Sequence, residues 1–301
     1  MATQPRPVKP RQAQGMSLHI GINKVQASAY AGWTGPLAAC EFDANDLTAV
    51  ARSQGLVPQL LLTQQATRSK VLAALRAAAR RLVAGDLFFL SYSGHGGQVP
   101  DVSGEEPDKL DETWCLYDGQ LIDDELYLLL SRFRSGVRVL VLSDSCHSGT
   151  VVRAGREPGA GASARPRIMP PAVGMRVYQA HQAFYDRLQE EATRAAGGAV
   201  IDPDVALAQV AVNPRLGAIV KDFQPAVLLI SGCQDNQFSM DGDHNGAFTE
   251  QVLRVWNHGS FQGNYALFHA KVRAALPPSQ SPNLFTLGPA ATLLKQTPFT
   301  L

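Results

Sequence analysis

Short apolar runs alternate along the chain with stretches that carry a helical period. Residues 41–53 and 67–83 are predicted to be helices, the second capped by Thr67, and Asp123 is predicted to cap a helix over 125–134. The apolar runs are typical of buried strands and span residues 17–22, 56–63, 87–92, 137–142 and 226–230. Continuously apolar strands that alternate with helices predict an α/β fold, with helices on both faces of a parallel sheet.

Two segments interrupt this alternation. Residues 98–120 are polar and rich in Asp, Glu and Gly, and residues 153–174 contain Gly, Pro and four arginines without a helical or strand period. Long segments of this kind in a compact domain are usually functional or disordered. We therefore expect a disordered leader over residues 1–15 and a single domain over 16–301, with a mobile loop around 153–174.

Composition narrows the class of protein. The 301 residues are 45% hydrophobic and carry a formal net charge of +1, so the chain can fill a core and its charge favours neither nucleic acid nor a membrane surface as a partner. The four cysteines are far apart, at positions 40, 115, 146 and 233, which fits neither a disulfide framework nor a zinc site. We expect a monomeric cytoplasmic protein without a membrane-spanning segment.

Two motifs occupy the carboxyl ends of two predicted strands. One is Ser91-Tyr-Ser-Gly-His95-Gly-Gly, and the other is Leu142-Ser-Asp-Ser-Cys146-His-Ser-Gly. Because ligands bind beyond the carboxyl ends of parallel strands, neighbouring strands would bring His95 and Cys146 together across a cleft. A thiol that attacks a carbonyl needs a base or a lowered pKa, and a histidine supplies both. We predict Cys146 as the nucleophile and His95 as its acid/base partner, in preference to the adjacent His147, whose side chain should point elsewhere.

The residues around these motifs resemble bacterial orthocaspases, which are close to type I metacaspases of the caspase clan (peptidase family C14). His95 precedes Cys146 by 51 residues, the order and spacing of caspases. The resemblance covers about residues 17–290, and its matches are Tyr92-Ser-Gly-His95-Gly, Asp144-Ser-Cys146-His-Ser-Gly, Leu37-Ala-Ala-Cys40-Glu-Phe-Asp43-Ala and Ser231-Gly-Cys-Gln-Asp-Asn-Gln. It implies the caspase-hemoglobinase fold, with a mostly parallel six-stranded sheet and helices on both faces. Asp144 differs from the caspase signature, which has Gln at that position.

The resemblance also implies a cysteine endopeptidase that cleaves protein or peptide substrates after Arg or Lys. The backbone amides of Gly96 and Cys146 would form the oxyanion hole. The pocket for the residue before the scissile bond would be formed by Asp43, Asp144, Cys40 and Ser93. The residues themselves favour the same specificity, because two carboxylates in one pocket repel each other and a substrate cation relieves that repulsion.

No cofactor is required for this chemistry, but the resemblance allows a calcium ion. Asp111, Asp123 and Asp124 match positions that bind calcium in some metacaspases, and carboxylates are suitable ligands for it. A further acidic ligand expected after the nucleophile is absent, since Thr150-Val-Val-Arg153 occupies that stretch. A second acidic turn, Asp241-Gly-Asp243-His-Asn245-Gly246, resembles the start of an EF-hand loop, but Val252 stands at its twelfth position, so we interpret it as a polar turn.

The basic segment after Cys146 predicts self-processing, because exposed Gly/Pro-rich loops are the sites that proteases cleave. The candidate bonds follow Arg153, Arg156, Arg165 and Arg167. The alternative function is a catalytically silent interaction protein with the caspase fold, which the presence of both His95 and Cys146 disfavours. A serine esterase acting through Ser148 is also disfavoured, since a nucleophile elbow needs Gly where Cys146 stands.

Overall fold

The computed structural model describes residues 11–101, 110–146, 165–195, 223–233 and 237–301. Its strands are β1 Gly15–Gly21, β2 Val57–Leu62, β3 Leu87–Ser93, β4 Gly96–Pro100, β5 Leu110–Leu116, β6 Gly119–Ile122, β7 Arg138–Asp144, β8 Ala226–Ser231 and β9 Asn283–Leu287. Its helices are α1 Cys40–Ser53, α2 Arg68–Arg81, α3 Asp123–Leu130, α4 Pro171–Ala180, α5 Gln182–Ala195, α6 Ala247–Trp256 and α7 Tyr265–Ala275.

A six-stranded sheet with the order β2-β1-β3-β7-β8-β9 forms the centre of the fold. All neighbouring pairs are parallel except β8 and β9, which are antiparallel. The prediction of a mostly parallel α/β sheet is therefore confirmed. In the β3–β7 pair, Ser93 lies opposite Asp144, so the segments that carry His95 and Cys146 leave the sheet side by side.

Two apolar layers cover the faces of this sheet. The alternation of side chains along β3 divides them, with Phe88 and Leu90 in one layer and Leu87 and Phe89 in the other. Helices α2 and α3 contribute to the first layer, whereas α1, α6 and α7 contribute to the second. Helices therefore lie on both faces, as predicted.

The polar segment 98–120 contains more regular structure than its composition indicates. Strands β4, β5 and β6 form a separate antiparallel sheet, in which β5 carries the buried side chains of Trp114 and Cys115. The polar residues on these strands obscure the alternation that would have predicted them. Helices α4 to α7 and strand β9 were not predicted from the sequence either.

Several predicted boundaries differ from the structure. Helix α3 begins at Asp123 and ends at Leu130 rather than at residue 134, and its N-cap is Ile122 rather than Asp123. The leader does not reach residue 15, because Arg11 makes a two-pronged ion pair with the buried Asp86 at 2.8 and 2.9 Å and β1 begins at Gly15. Of the predicted loop 153–174, only residues 165–174 are described, and they form extended chain followed by the start of α4. Within the described ranges, no helix combines the length and apolar character needed to cross a membrane.

Candidate active site

His95 lies on the short connection between β3 and β4. Its side chain is buried, its Nε2 lies 3.0 Å from the carbonyl oxygen of Gly35, and the ring of Trp33 packs against it at 4.8 Å between centroids. Because a carbonyl oxygen can only accept, Nε2 carries the proton and Nδ1 is left as the basic nitrogen. Within the described part of the chain, Nδ1 has no hydrogen-bond partner. Burial lowers the pKa of His95 to about 4, against the opposing effect of the Gly35 carbonyl, so the ring is a neutral base at physiological pH.

Cys146 lies two residues beyond the end of β7 and is fully buried. Its thiol donates to the carbonyl oxygen of Ser239 at 3.2 Å, and the same oxygen accepts the backbone N–H of Arg167 at 3.0 Å. The sulfur and the backbone of Arg167 are therefore neighbours. His147, the rival base, lies outside the described residues.

Two backbone amides converge on one carbonyl oxygen beside this thiol. The N–H groups of Gly96 and Cys146 donate to the carbonyl oxygen of Arg167, at 3.0 and 3.1 Å. These are the two amides that the sequence resemblance assigns to the oxyanion hole. Two donors at this distance have the geometry that stabilises a developing oxyanion. The carbonyl group of the Arg167–Ile168 peptide bond therefore lies at these two amides, close to the thiol of Cys146.

The side chain of Arg167 fills a pocket lined by three carboxylates. The guanidinium is completely buried, and it lies 2.7 Å from Asp43, 2.9 Å from Asp144 and 2.9 Å from Asp241. It also donates to the hydroxyl of Ser93 at 2.8 Å. The predicted pocket residues Asp43, Asp144 and Ser93 are therefore brought together. Asp241 was missed.

The pocket carboxylates are fixed in place by neighbouring groups. Asp43, in the first turn of α1, accepts from Ser93 at 2.7 Å and from the backbone of Gly246 at 3.0 Å. Asp144 accepts from the hydroxyls of Ser239 and Thr249. Each of these two carboxylates therefore has hydrogen-bond donors besides the guanidinium, and these donors belong to the framework of the site.

Asp241 is anchored by the backbone amides of Ala38 and Ala39, at 2.7 and 3.2 Å. Its turn was interpreted as a plain polar turn, but Asp241 is one wall of the pocket and Asn245 donates to Asp43 at 3.0 Å. The signal that could have found it is an acidic turn shortly after the motif that begins at Ser231.

Burial shapes the electrostatics of the pocket. It raises the pKa of Asp43, in competition with the attraction of Arg167, and the negative charge of Asp144 adds to the increase. Burial also raises the pKa of Cys40 to about 12, so this thiol is neutral where it lies beside Arg167 and Asp43. Three acids around one cation leave excess negative charge in a buried pocket, and a bound cation offsets much of the cost of burying it.

Residues 165–169 run through the site as an extended strand. On one side of Arg167, the carbonyl oxygen of Arg165 accepts the backbone N–H of Asp241 at 2.8 Å. On the other side, Met169 donates to the carbonyl oxygen of Gly96 at 2.7 Å. Pairing on both sides of one bond is the β-strand mode by which peptides bind along a groove.

The three candidate calcium ligands lie on two different elements of the fold. Asp111 lies on β5, and Asp123 and Asp124 begin α3; Asp111 and Asp124 are buried. Among the described residues, no three His, Cys, Asp or Glu side chains gather into a possible metal site. The acidic residues 105, 106 and 108 lie outside the described ranges, as does the stretch from Thr150 to Arg153. Calcium binding therefore stays a prediction.

Comparison with known proteins identifies the family. A family model described as the caspase domain matches residues 14–298. The chain belongs to the caspase family. This confirms the resemblance that the sequence motifs carry, and with the six-stranded sheet it confirms the caspase-like fold.

Within the caspase family, the chain is similar to several metacaspases. It is 30% identical to Metacaspase-1 of Cryptococcus neoformans over 257 residues, which cover 77% of this chain and 52% of the relative. It is 34% identical to Metacaspase-1A of Aspergillus fumigatus over 151 residues, covering 45% of this chain and 35% of the relative. The chain thus spans between about a third and a half of the length of these relatives. The chain is therefore metacaspase-like in sequence.

One solved structure is similar over almost the whole chain. The crystal structure of protein GSU0716 from Geobacter sulfurreducens has 48% sequence identity and a TM-score of 0.81, and the match covers 96% of this chain and 99% of the other. The fold described here is therefore shared by a protein of matching length.

Proposed function

We propose that this chain is a cysteine endopeptidase that cleaves peptide bonds after Arg, and more slowly after Lys, through Cys146 and His95. We further propose that it processes itself between Arg167 and Ile168. One observation carries the proposal: the chain's own Arg167 is bound with its guanidinium among three carboxylates and its carbonyl oxygen on the amides of Gly96 and Cys146. A segment held in this way has the features of a bound substrate.

The reaction follows from this arrangement. His95 accepts the thiol proton at Nδ1, and the sulfur of Cys146 attacks the carbonyl carbon of Arg167. Negative charge develops on the carbonyl oxygen, where two N–H groups already point. His95 then protonates the nitrogen of Ile168, the bond breaks, and an acyl-enzyme remains that water hydrolyses. The hydrogen bond from Nε2 to Gly35 keeps the ring oriented during both proton transfers.

The pocket supports the preference for Arg. A guanidinium is planar, so its two terminal nitrogens can contact different carboxylates at once, as Arg167 does with Asp43, Asp144 and Asp241. A Lys ammonium is a single point charge and would leave part of this acidic wall uncompensated. An Asp side chain would add another negative charge, and we expect no measurable cleavage after it.

Mass spectrometry of the purified chain tests the proposal. Wild type should yield a fragment that begins at Ile168, whereas Cys146→Ala and His95→Ala should stay intact at this bond. Arg167→Lys should slow the cleavage and Arg167→Ala should abolish it, while Arg165→Ala, which changes an exposed arginine two residues earlier, should cleave normally. An intact wild-type chain that also fails to cleave Arg peptides would favour the catalytically silent alternative.

A further inference from the structure

The residue after the proposed scissile bond has a binding site of its own. The side chain of Ile168 is only 9% exposed, and it packs in one apolar cluster with Cys146 and Cys233. The partly buried ring of Phe238 packs against the same cluster. The side chain of Ile168 is therefore shielded from water by protein groups that differ from the carboxylates of the Arg pocket.

The direction of Ile168 is fixed by its neighbours in the chain. The carbonyl oxygen of Arg167 and the N–H of Met169 both bond to Gly96, at 3.0 and 2.7 Å, so Gly96 pairs with the strand on either side of Ile168. Because side chains alternate along an extended strand, this pairing turns Ile168 away from its two neighbours. Any residue that directly follows the proposed scissile bond would therefore direct its side chain into the apolar cluster, as Ile168 does.

The walls of the cluster belong to the framework of the site. Cys233 follows β8, where the backbone of Gly232 donates to the carbonyl oxygen of Ser143 at 2.7 Å, and its thiol donates to the carbonyl oxygen of Ser145 at 3.5 Å. Phe238 directly precedes Ser239, whose carbonyl oxygen accepts from Arg167. The walls are thus tied to the elements that hold the nucleophile and the substrate strand.

We propose that Cys233 and Phe238 form a subsite that selects a branched aliphatic residue immediately after the scissile bond. The inference rests on the proposed peptidase function, and it adds a second specificity determinant to the Arg pocket. An aliphatic side chain gains by leaving water in this cluster, whereas Gly gains nothing. A carboxylate there would lose hydration in an apolar surrounding, so the cluster discriminates strongly against Asp.

Quenched fluorescent peptides with the sequence Arg-Pro-Arg-Xaa-Met-Pro, taken from residues 165–170, test the subsite. We expect kcat/KM with Xaa = Ile and Val to agree within about threefold, to be about tenfold lower with Gly, and to be about a hundredfold lower with Asp. Replacing the last Pro, which corresponds to the exposed Pro170, is the matched control and should change the rate little. Equal rates with Ile, Gly and Asp would overturn the subsite.

Variants of the protein separate the subsite from the Arg pocket. Phe238→Ala should reduce the preference for Ile over Gly by about threefold or more and leave the preference for Arg before the bond unchanged. In the chain itself, Ile168→Val should process at the wild-type rate and Ile168→Asp should stall, with the thermal unfolding of both compared in a Cys146→Ala background to control for folding. If no Arg peptide is cleaved at all, the proposed function fails; if all are cleaved regardless of Xaa, or if Phe238→Ala keeps the full preference, only the subsite fails.

Discussion

Removing the guanidinium of Arg167 should destabilise the uncleaved protein by an amount that the pocket geometry sets. The perturbation is Arg167→Ala, made in a Cys146→Ala background so that cleavage cannot confuse the measurement. In the structure, the guanidinium contacts three carboxylates at 2.7 to 2.9 Å, and none of the four side chains is more than 3% exposed. Alanine leaves those carboxylates facing one another without a cation.

The magnitude follows from the cost of breaking a buried ion pair. Removing one partner of such a pair typically costs about 3–5 kcal/mol, since the other charge stays buried. We take the lower end, about 3 kcal/mol, because the pKa of Asp43 is already raised and a proton taken up there relieves part of the repulsion. For a chain of this size, that loss corresponds to a decrease in Tm of about 5 °C.

Thermal unfolding by calorimetry or circular dichroism at neutral pH measures this effect. Arg165→Ala in the same background is the control, because Arg165 is exposed. Within the described part of the chain, its side chain donates a hydrogen bond only to the carbonyl oxygen of Pro36. We expect the control to change stability by less than about 0.5 kcal/mol. If Arg167→Ala were as mild as the control, the guanidinium would not be bound among the carboxylates as described.

Two further predictions concern the pocket and the core. Asp241→Ala should lower kcat/KM for Arg peptides by about tenfold or more, since a desolvated charge-assisted contact is lost. Asp243 is an exposed acid of the same turn, and Asp243→Ala should leave kcat/KM unchanged. Equal effects of the two substitutions in a peptide assay would contradict the role of Asp241. Burial lowers the pKa of His19 from 6.5 to about 3, so its contribution to stability is complete above pH 6.5 and is lost as the pH falls toward 3. Urea unfolding of His19→Asn between pH 7 and 4 should therefore show a shallower acid loss than wild type, by up to about 3 kcal/mol, and parallel curves would contradict this account.

The placement of the His95 and Cys146 motifs was predictable because it depends on local patterns. The apolar runs that become β3 and β7 are continuous and short, which is typical of strands covered on both faces, and the His95 and Cys146 motifs follow directly from their ends. Once those strands are neighbours, the two motifs meet at one edge of the sheet. This prediction requires only the apolar pattern of the two strands and the rule that functional residues lie at the carboxyl ends of parallel strands.

The rest of the pocket depends on contacts between distant parts of the chain. Asp241 reaches the pocket because its turn folds back onto the amides of Ala38 and Ala39, a contact between distant parts of the chain that the acidic turn alone does not reveal. Arg167 was one of four candidate arginines, and composition could not distinguish them. Among the described residues, the backbone of Arg167 pairs with Gly96 and Ser239, and this pairing is a property of the folded chain.

Labelling by a substrate-like electrophile tests the central claim most directly. A peptide acyloxymethyl ketone with Arg before the reactive group should bind the three carboxylates and alkylate the sulfur of Cys146. The account predicts one adduct per chain, located on Cys146 by peptide mass mapping, with no adduct from the matched Asp reagent and none in Cys146→Ala. Alkylation of Cys40, Cys115 or Cys233 instead, or equal labelling by the Asp reagent, would contradict it.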